Sequence, residues 1–223
     1  NLSITSKFTL LITFFLLTFG TILFLIFEYN NPSTLGNMGF LDKFINSFFQ
    51  SVTLRTAGFN TVPLGNIKPA TVFISYIFMF IGASPGSTGG GIKTTTFGIL
   101  IHYAFGVLKR KEYVEVFKRR IDWELINKAL AIEVISVFYV IIRATIILSI
   151  ESFSIDKVIY EVLSAFSTAG LSMVITAGLG IISKLILVVT MFIGRLGPMT
   201  VALAFTSNKT SSIKYPKEDI LIG

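Results

Sequence analysis

The chain has 223 residues, 52% of them hydrophobic and 14% charged, with a mean hydropathy of +0.77. A soluble domain needs more polar surface than this to cover its core, so composition points to a membrane protein. The net charge of +7 does not indicate a nucleic-acid partner, because the basic residues concentrate in one short loop, and with no cysteine there are no disulfides, thiol chemistry or Cys-based metal sites.

The first element is a run of 20 residues without a charge, Phe8 to Phe27, long enough to span a bilayer core as a helix. It is too long for a signal-peptide core and lacks a small-residue cleavage site. Because the sequence opens on Asn1 rather than Met, the expectation is that the N-terminal part of the natural protein lies upstream. A shorter apolar segment follows, Asp42 to Leu54, and its pattern returns at Asp156 to Phe166; each opens with Asp, a preferred N-cap. Both are too short to cross, so they are predicted to be re-entrant half-helices. Apolar stretches near 69–108, 129–150 and 181–205 are predicted spans, some of them interrupted. Lys109, Arg110, Lys111, Lys118, Arg119 and Arg120 cluster between two of them, which places this loop, the N-terminus around Lys7 and the tail after Asn208 in the cytoplasm. The single histidine, His102, cannot build a metal site alone and reads as a packing residue.

An internal repeat organises these elements. Thr56-Ala57-Gly58 returns 112 positions later as Thr168-Ala169-Gly170, and Met79-Phe80-Ile81-Gly82 returns at the same offset as Met191-Phe192-Ile193-Gly194. Each unit reads as membrane helix, outer loop, half-helix, Thr-Ala-Gly, extended stretch and membrane helix. Irregular backbone at membrane depth is tolerated only where it lines a water-filled cavity or is buried in protein. The negative C-terminal end of a half-helix favours a cation, and inward-turned backbone carbonyls can replace the water shell of potassium. Glycine permits that turn, because it tolerates angles that a Cβ forbids. The candidate selectivity filter is therefore Thr56, Ala57, Gly58 and Phe59 with Thr168, Ala169, Gly170 and Leu171.

Past Ile81 the span holds Gly82, Pro85, Gly86, Gly89, Gly90 and Gly91, with Ser84, Ser87 and Thr88 between them, and cannot remain a regular helix. A phosphate-binding loop is one alternative, but Gly91-Ile92-Lys93-Thr94 lacks the Gly-Lys-Thr order and no strand precedes it. A close-packed helix crossing built on small residues is another. Arg195, equivalent by the repeat to Ala83, is a cation deep in a span and a functional candidate; its guanidinium suits the loose carbonyls of the broken helix. Arg55, beside the first Thr-Ala-Gly, is expected to brace the filter with Glu161 as a partner. Arg143 reads as structural or as a group reaching for the outer edge, since Glu133 is too far along the same helix to pair with it.

The segments Leu54 to Thr61, Gly82 to Thr94, Phe166 to Ser172 and Gly194 to Pro198 resemble the Trk/Ktr/HKT superfamily of potassium transporters; the tail Tyr215 to Gly223 is similar to its Ktr-type (KtrB-like) membrane subunits. The resemblance implies an all-α membrane protein with four helix–pore-loop–helix repeats around one channel-like pore, of which this chain matches the third and fourth. Its divisions would be residues 1–108 (third repeat), 109–127 (basic cytoplasmic linker), 128–206 (fourth repeat) and 207–223 (cytoplasmic tail). It implies potassium transport across the cell membrane rather than an enzyme activity, by a multi-pass protein of a bacterial inner or plasma membrane. The gate would be an intramembrane loop formed by Gly82, Pro85, Gly86, Ser87, Thr88, Gly89, Gly90, Gly91 and Lys93 together with Arg195. The implied partners are an N-terminal half with two further pore repeats, a second copy in a homodimer, and a cytosolic regulatory ring that alone binds nucleotide. Potassium would bind at the filter; sodium as an activator stays open. A nucleotide-driven pump or membrane enzyme is opposed by the one His, the lack of Cys and the absence of paired carboxylates in a span. A purely scaffolding half is opposed by the filter repeat.

Overall fold

Ser3 starts the first helix by accepting the Ser6 N–H on its hydroxyl at 3.1 Å. Helix α1 (Ile4–Glu28) then runs for 25 residues, about 38 Å at 1.5 Å per residue. It buries Phe8, Ile12, Leu16 and Phe24 and exposes Leu10, Phe14 and Phe15, as expected of a helix packed on one side and facing hydrocarbon on the other. The computed structural model describes residues 3–110, 113–117, 119–197 and 200. Among these, α1 and the later α5 (Trp123–Ile150) are long and apolar enough to cross a membrane.

The half-helices form as predicted, with shifted starts. Helix α2 (Phe40–Thr53) is capped by Gly39, and α6 (Ile155–Ser167) by Ser154. Asp42 and Asp156, expected as N-caps, instead lie in the first turns, where a carboxylate still complements the positive helix end. The stretch near 69–108 divides into α3 (Pro69–Phe80), with proline at its first position, and α4 (Thr94–Leu108). Helix α7 (Ile181–Leu196) is unbroken and ends at Gly197.

Within the segment expected as a basic linker, 109–127, strands β1 (Glu115–Val116) and β2 (Arg119–Arg120) pair antiparallel, and α5 begins at Trp123. Alternating burial of Val114 and Val116 explains the hairpin. The tail 207–223 and Pro198 lie outside the described residues, as does most of the predicted span past 197.

Helix α1 packs on α2, α3 and α4; α6 packs on α3, α5 and α7; α4 also meets α5. The repeats therefore join at α3–α6, where Tyr76 Oη donates to the Asp156 carbonyl at 2.6 Å and the Tyr76 and Tyr160 ring centres lie 6.2 Å apart. Tyr160 is wholly buried, while Phe48, 112 positions earlier on α2, is 48% exposed alongside exposed Leu41, Phe44 and Ile45.

A carboxylate fastens the outer end of each repeat. Glu28, wholly buried, accepts from the Lys68 N–H (2.8 Å), Thr34 Oγ1 (2.8 Å), Asn31 Nδ2 (2.6 Å) and the Thr71 hydroxyl. Glu151 accepts from the Gly180 N–H (2.8 Å) and Ser183 Oγ (2.6 Å), which stand 112 positions after Lys68 and Thr71. Each Glu thus caps the start of its repeat's second long helix. The Ser183 hydroxyl and Gly180 N–H hold the Glu151 carboxyl below the ordinary glutamate range, so this clasp is complete above that range and opens as pH falls through the lowered value. Glu28→Ala leaves several buried donors unpartnered and should cost about 3 kcal/mol or more. A drop in the thermal midpoint of the purified protein, smaller in Glu28→Gln, is the expected result; an unchanged midpoint would show the clasp to be idle.

Candidate ion-conducting site: two facing pore loops

Each half-helix ends in a backbone that alternates in hand. Thr56 and Gly58 have φ of 73° and 79°, and Thr168 and Gly170 have φ of 57° and 79°. A left-handed threonine costs about 1–2 kcal/mol, so two of them at corresponding places must be held by their surroundings. The holding bonds are visible. Ala57 N–H donates to the Thr53 carbonyl at 3.3 Å, and Ala169 N–H to the Ser164 carbonyl at 2.9 Å. Hydroxyls tie down the outer ends: Phe59 N–H donates to Thr53 Oγ1 at 3.0 Å, and Leu171 N–H to Ser164 Oγ at 2.9 Å.

The two loops touch. A Cβ placed on Gly58 would lie 3.0 Å from the Ala169 carbonyl oxygen, and one on Gly170 would lie 3.3 Å from Gly58 Cα. Glycine at both places is what permits this approach.

Directly against the two Thr-Ala-Gly loops lies the segment between α3 and α4. It folds back on itself through a parallel bridge between Ile81 and Ile92, with Ile92 N–H donating to the Phe80 carbonyl at 3.1 Å and Ala83 N–H to the Gly90 carbonyl at 3.4 Å. Gly90 N–H donates to Thr168 Oγ1 at 2.8 Å, and Gly91 N–H to the Phe166 carbonyl at 3.1 Å. A Cβ on Gly89 would stand 3.0 Å from Thr56 Cγ2, so the segment reaches both Thr56 and Thr168. Its turn, Pro85 to Thr88 with Gly86 at φ 79°, is exposed. Close backbone packing is also present: a Cβ on Gly82 would overlap the Gly90 carbonyl, and one on Gly194 the Phe166 carbonyl. The small-residue crossing and the glycine-rich loop against Thr56 and Thr168 are one and the same structure.

Not every expected contact forms. Arg195 is exposed on the last turn of α7 and has no hydrogen bond among the described residues. Gly194 occupies the helix face against the loop, and the next residue points about 100° away around the helix. The loop carbonyl of Gly89 is instead bonded by Lys93 Nζ at 2.6 Å, because Lys93 caps α4 on the loop itself. The expected pair of Arg55 and Glu161 is likewise absent. Glu161, 5% exposed, accepts from Thr176 Oγ1 at 2.8 Å and from the Ser172 hydroxyl, so it braces the stretch that follows its own Thr-Ala-Gly. Arg55 is half-buried with Nη1 unpartnered among the described residues. Arg143 lies over the Tyr139 ring at 5.0 Å, and His102 packs edge-on to Phe8 with Nδ1 3.0 Å from the Gly98 carbonyl. Sequence reasoning missed Thr53, Ser164, Glu28 and Glu151. The two glutamates were findable, since each closes a long apolar run just before an outer loop.

Two half-helices that end in facing, glycine-bearing loops at the heart of an apolar helical bundle define a pore-loop membrane protein. The family model TrkH, described as a cation transport protein, matches residues 2–214, and the chain belongs to this family. It is 39% identical over 222 residues to the Ktr system potassium uptake protein B of Vibrio alginolyticus, covering 100% of this chain and 49% of that protein. It is 37% identical over 231 residues to the potassium/sodium uptake protein NtpJ of Enterococcus hirae, covering 100% of this chain and 51% of the relative. The crystal structure of the potassium transporter TrkH from Vibrio parahaemolyticus superposes with a TM-score of 0.72 at 19% identity, over 91% of this chain and 44% of that one. The fold is thus the pore-loop-repeat fold of a membrane transporter, and the chain spans about half the length of the curated relatives it matches. These relatives are named as transport proteins, not enzymes.

Proposed function

We propose that this chain forms half of a potassium-conducting pore, with the ion passing the carbonyls between Gly58 and Gly170. The observation that carries this reading is the contact of the two left-handed Thr-Ala-Gly loops at the ends of two half-helices. Potassium as the ion is supported by the names of the relatives, and sodium enters as a candidate activator through the potassium/sodium protein among them.

Two loops cannot encircle an ion, so two further pore repeats complete the ring. The uncovered apolar face of α2 around Phe48 supports this, because the equivalent face of α6 is covered by α3 of the other repeat. The chain alone should therefore not conduct. Rubidium uptake into liposomes that hold only this chain would overturn the reading, and uptake restored by coexpression with the two upstream repeats would support it.

The 82–91 segment serves as the gate. It lies against both filter threonines, and Lys93 fastens it through the Gly89 carbonyl. Arg195, next to the Gly194 crossing, adds positive charge near the path rather than a bond. Lys93→Met should raise basal rubidium flux several-fold while leaving the potassium/sodium ratio unchanged. Lower or unchanged flux in the folded variant would return the segment to a packing role. The membrane subunit works as a multi-pass homodimer of the cell membrane. A cytosolic ring, which carries the nucleotide, docks on the 109–120 loop and pulls the segment aside through α4.

A further inference from the structure

Two hollows meet at the lower half of α4. One, of about 440 Å³, lies between α4 and the β1–β2 hairpin and is walled by Ile101 and Phe105, with His102, Lys109, Tyr113 and Glu115 as its polar groups. The other, of about 670 Å³, is an open groove between α4 and α5, lined by Leu100, Ala104, Leu108 and Leu130, with Glu133 of α5 also bordering it. Ile101 borders both hollows, so a polar chamber and an apolar trough flank one side chain.

We propose that this pair of hollows seats one anionic phospholipid, its headgroup in the chamber and an acyl chain in the trough. The level is right for a lipid headgroup. Tyr103 and Trp123 meet edge to face at 5.8 Å beside it, the amphipathic rings that favour the boundary between hydrocarbon and water. Phe105, Val107 and Leu108 are 59%, 56% and 78% exposed, which suits contact with chains rather than with water. The charge is right for a phosphodiester. Lys109 lines the chamber, and Arg110, Arg119 and Arg120 stand on the same loop, so an anion entering from the cytoplasmic leaflet meets a positive potential.

The polar groups also choose among headgroups. A choline would need an open aromatic face, but the Tyr113 ring is already covered by the Arg120 guanidinium at 4.9 Å. Glu115 can accept from a hydroxyl, so a glycerol headgroup satisfies the carboxylate while its phosphate meets Lys109. His102, with Nδ1 engaged by the Gly98 carbonyl, has Nε2 left for a headgroup oxygen. The assigned ligand is a phosphatidylglycerol-type lipid. This assignment rests on the cytoplasmic placement of the loop but not on the transport reading, because its test measures binding alone.

The test is native mass spectrometry of the purified full-length membrane protein that carries this chain, titrated with phosphatidylglycerol, phosphatidylcholine or free glycerol phosphate. Phosphatidylglycerol should be retained in preference to phosphatidylcholine. Lys109→Ala should weaken its retention about fivefold, the effect of one basic residue at an anionic surface. Ile101→Trp should crowd both hollows and remove retention, while Lys184→Ala, at the outer end, should change nothing. Equal retention of the two lipids, or full retention in a folded Lys109→Ala protein, would overturn the proposal. Binding of glycerol phosphate as tightly as the lipid would also overturn it, assigning the chamber to a soluble phosphoester.

Discussion

Gly194→Ala is expected to destabilise the protein by about 3 kcal/mol, at the upper end for overpacking. The added methyl would overlap the Phe166 carbonyl oxygen, a backbone atom near the end of α6 that also accepts from Gly91 N–H. Neither partner can rotate away, so α7 must withdraw from α6 or the loop must lose its anchor. Gly82→Ala should behave alike, because its methyl would strike the Gly90 carbonyl. Gly106→Ala supplies the control. It lies within α4, its methyl would meet nothing nearer than Val114 Cγ2 at 3.8 Å, and replacing a mid-helix glycine should stabilise by up to about 1 kcal/mol. Thermal midpoints of the purified variants give the comparison. Equal midpoints for Gly194→Ala and Gly106→Ala would mean that the close crossing is not built as described.

Gly58→Ser and Gly170→Ser are expected to lower the potassium/sodium uptake ratio of the full-length protein about tenfold, since each puts a side chain on left-handed backbone at a cost near 1–2 kcal/mol. Both glycines have φ of 79°, so strain alone predicts equal effects. Crowding separates them. The new Cβ lies 3.0 Å from the Ala169 carbonyl oxygen at Gly58, whereas at Gly170 the nearest atom is Gly58 Cα at 3.3 Å. Gly58→Ser should therefore be the more damaging, displacing a carbonyl of the opposite loop as well as its own. Competitive rubidium and sodium uptake decides the matter, and wild-type ratios in both variants would reject these loops as the filter.

Both assignments were within reach of the sequence, because the 112-residue offset places Gly58 with Gly170 and Gly82 with Gly194 without any structure. The elements were legible for a similar reason: long uncharged runs, short apolar segments and a glycine-rich break are each local in the chain. What the repeat could not reveal lies where the repeats differ. Thr53 and Ser164 do the same work at an offset of 111, since α2 ends at Thr53 and α6 only at Ser167, and an exact register hides them. Glu161 faces Ser172 and Thr176 where the other repeat has Phe49, so pairing it with Arg55 by charge alone went astray. Arg195 failed for a geometric reason. A cation next to a loop in sequence space need not point at it, and one residue's turn of helix directs it elsewhere.

The two carboxylate clasps carry a mechanical consequence. Glu28 ties the far end of α1 to the beginning of α3, and Glu151 does the same for α5 and α7, always at the outer face. At the opposite face α4 leaves the bundle through an exposed turn and a two-residue hairpin. The hydrogen-bonded ties thus gather along one rim, while at the opposite rim the helices meet through apolar and aromatic contacts such as Phe8 with His102. Loss of either carboxylate therefore releases the ends of two long helices at once, on the rim where both are bonded.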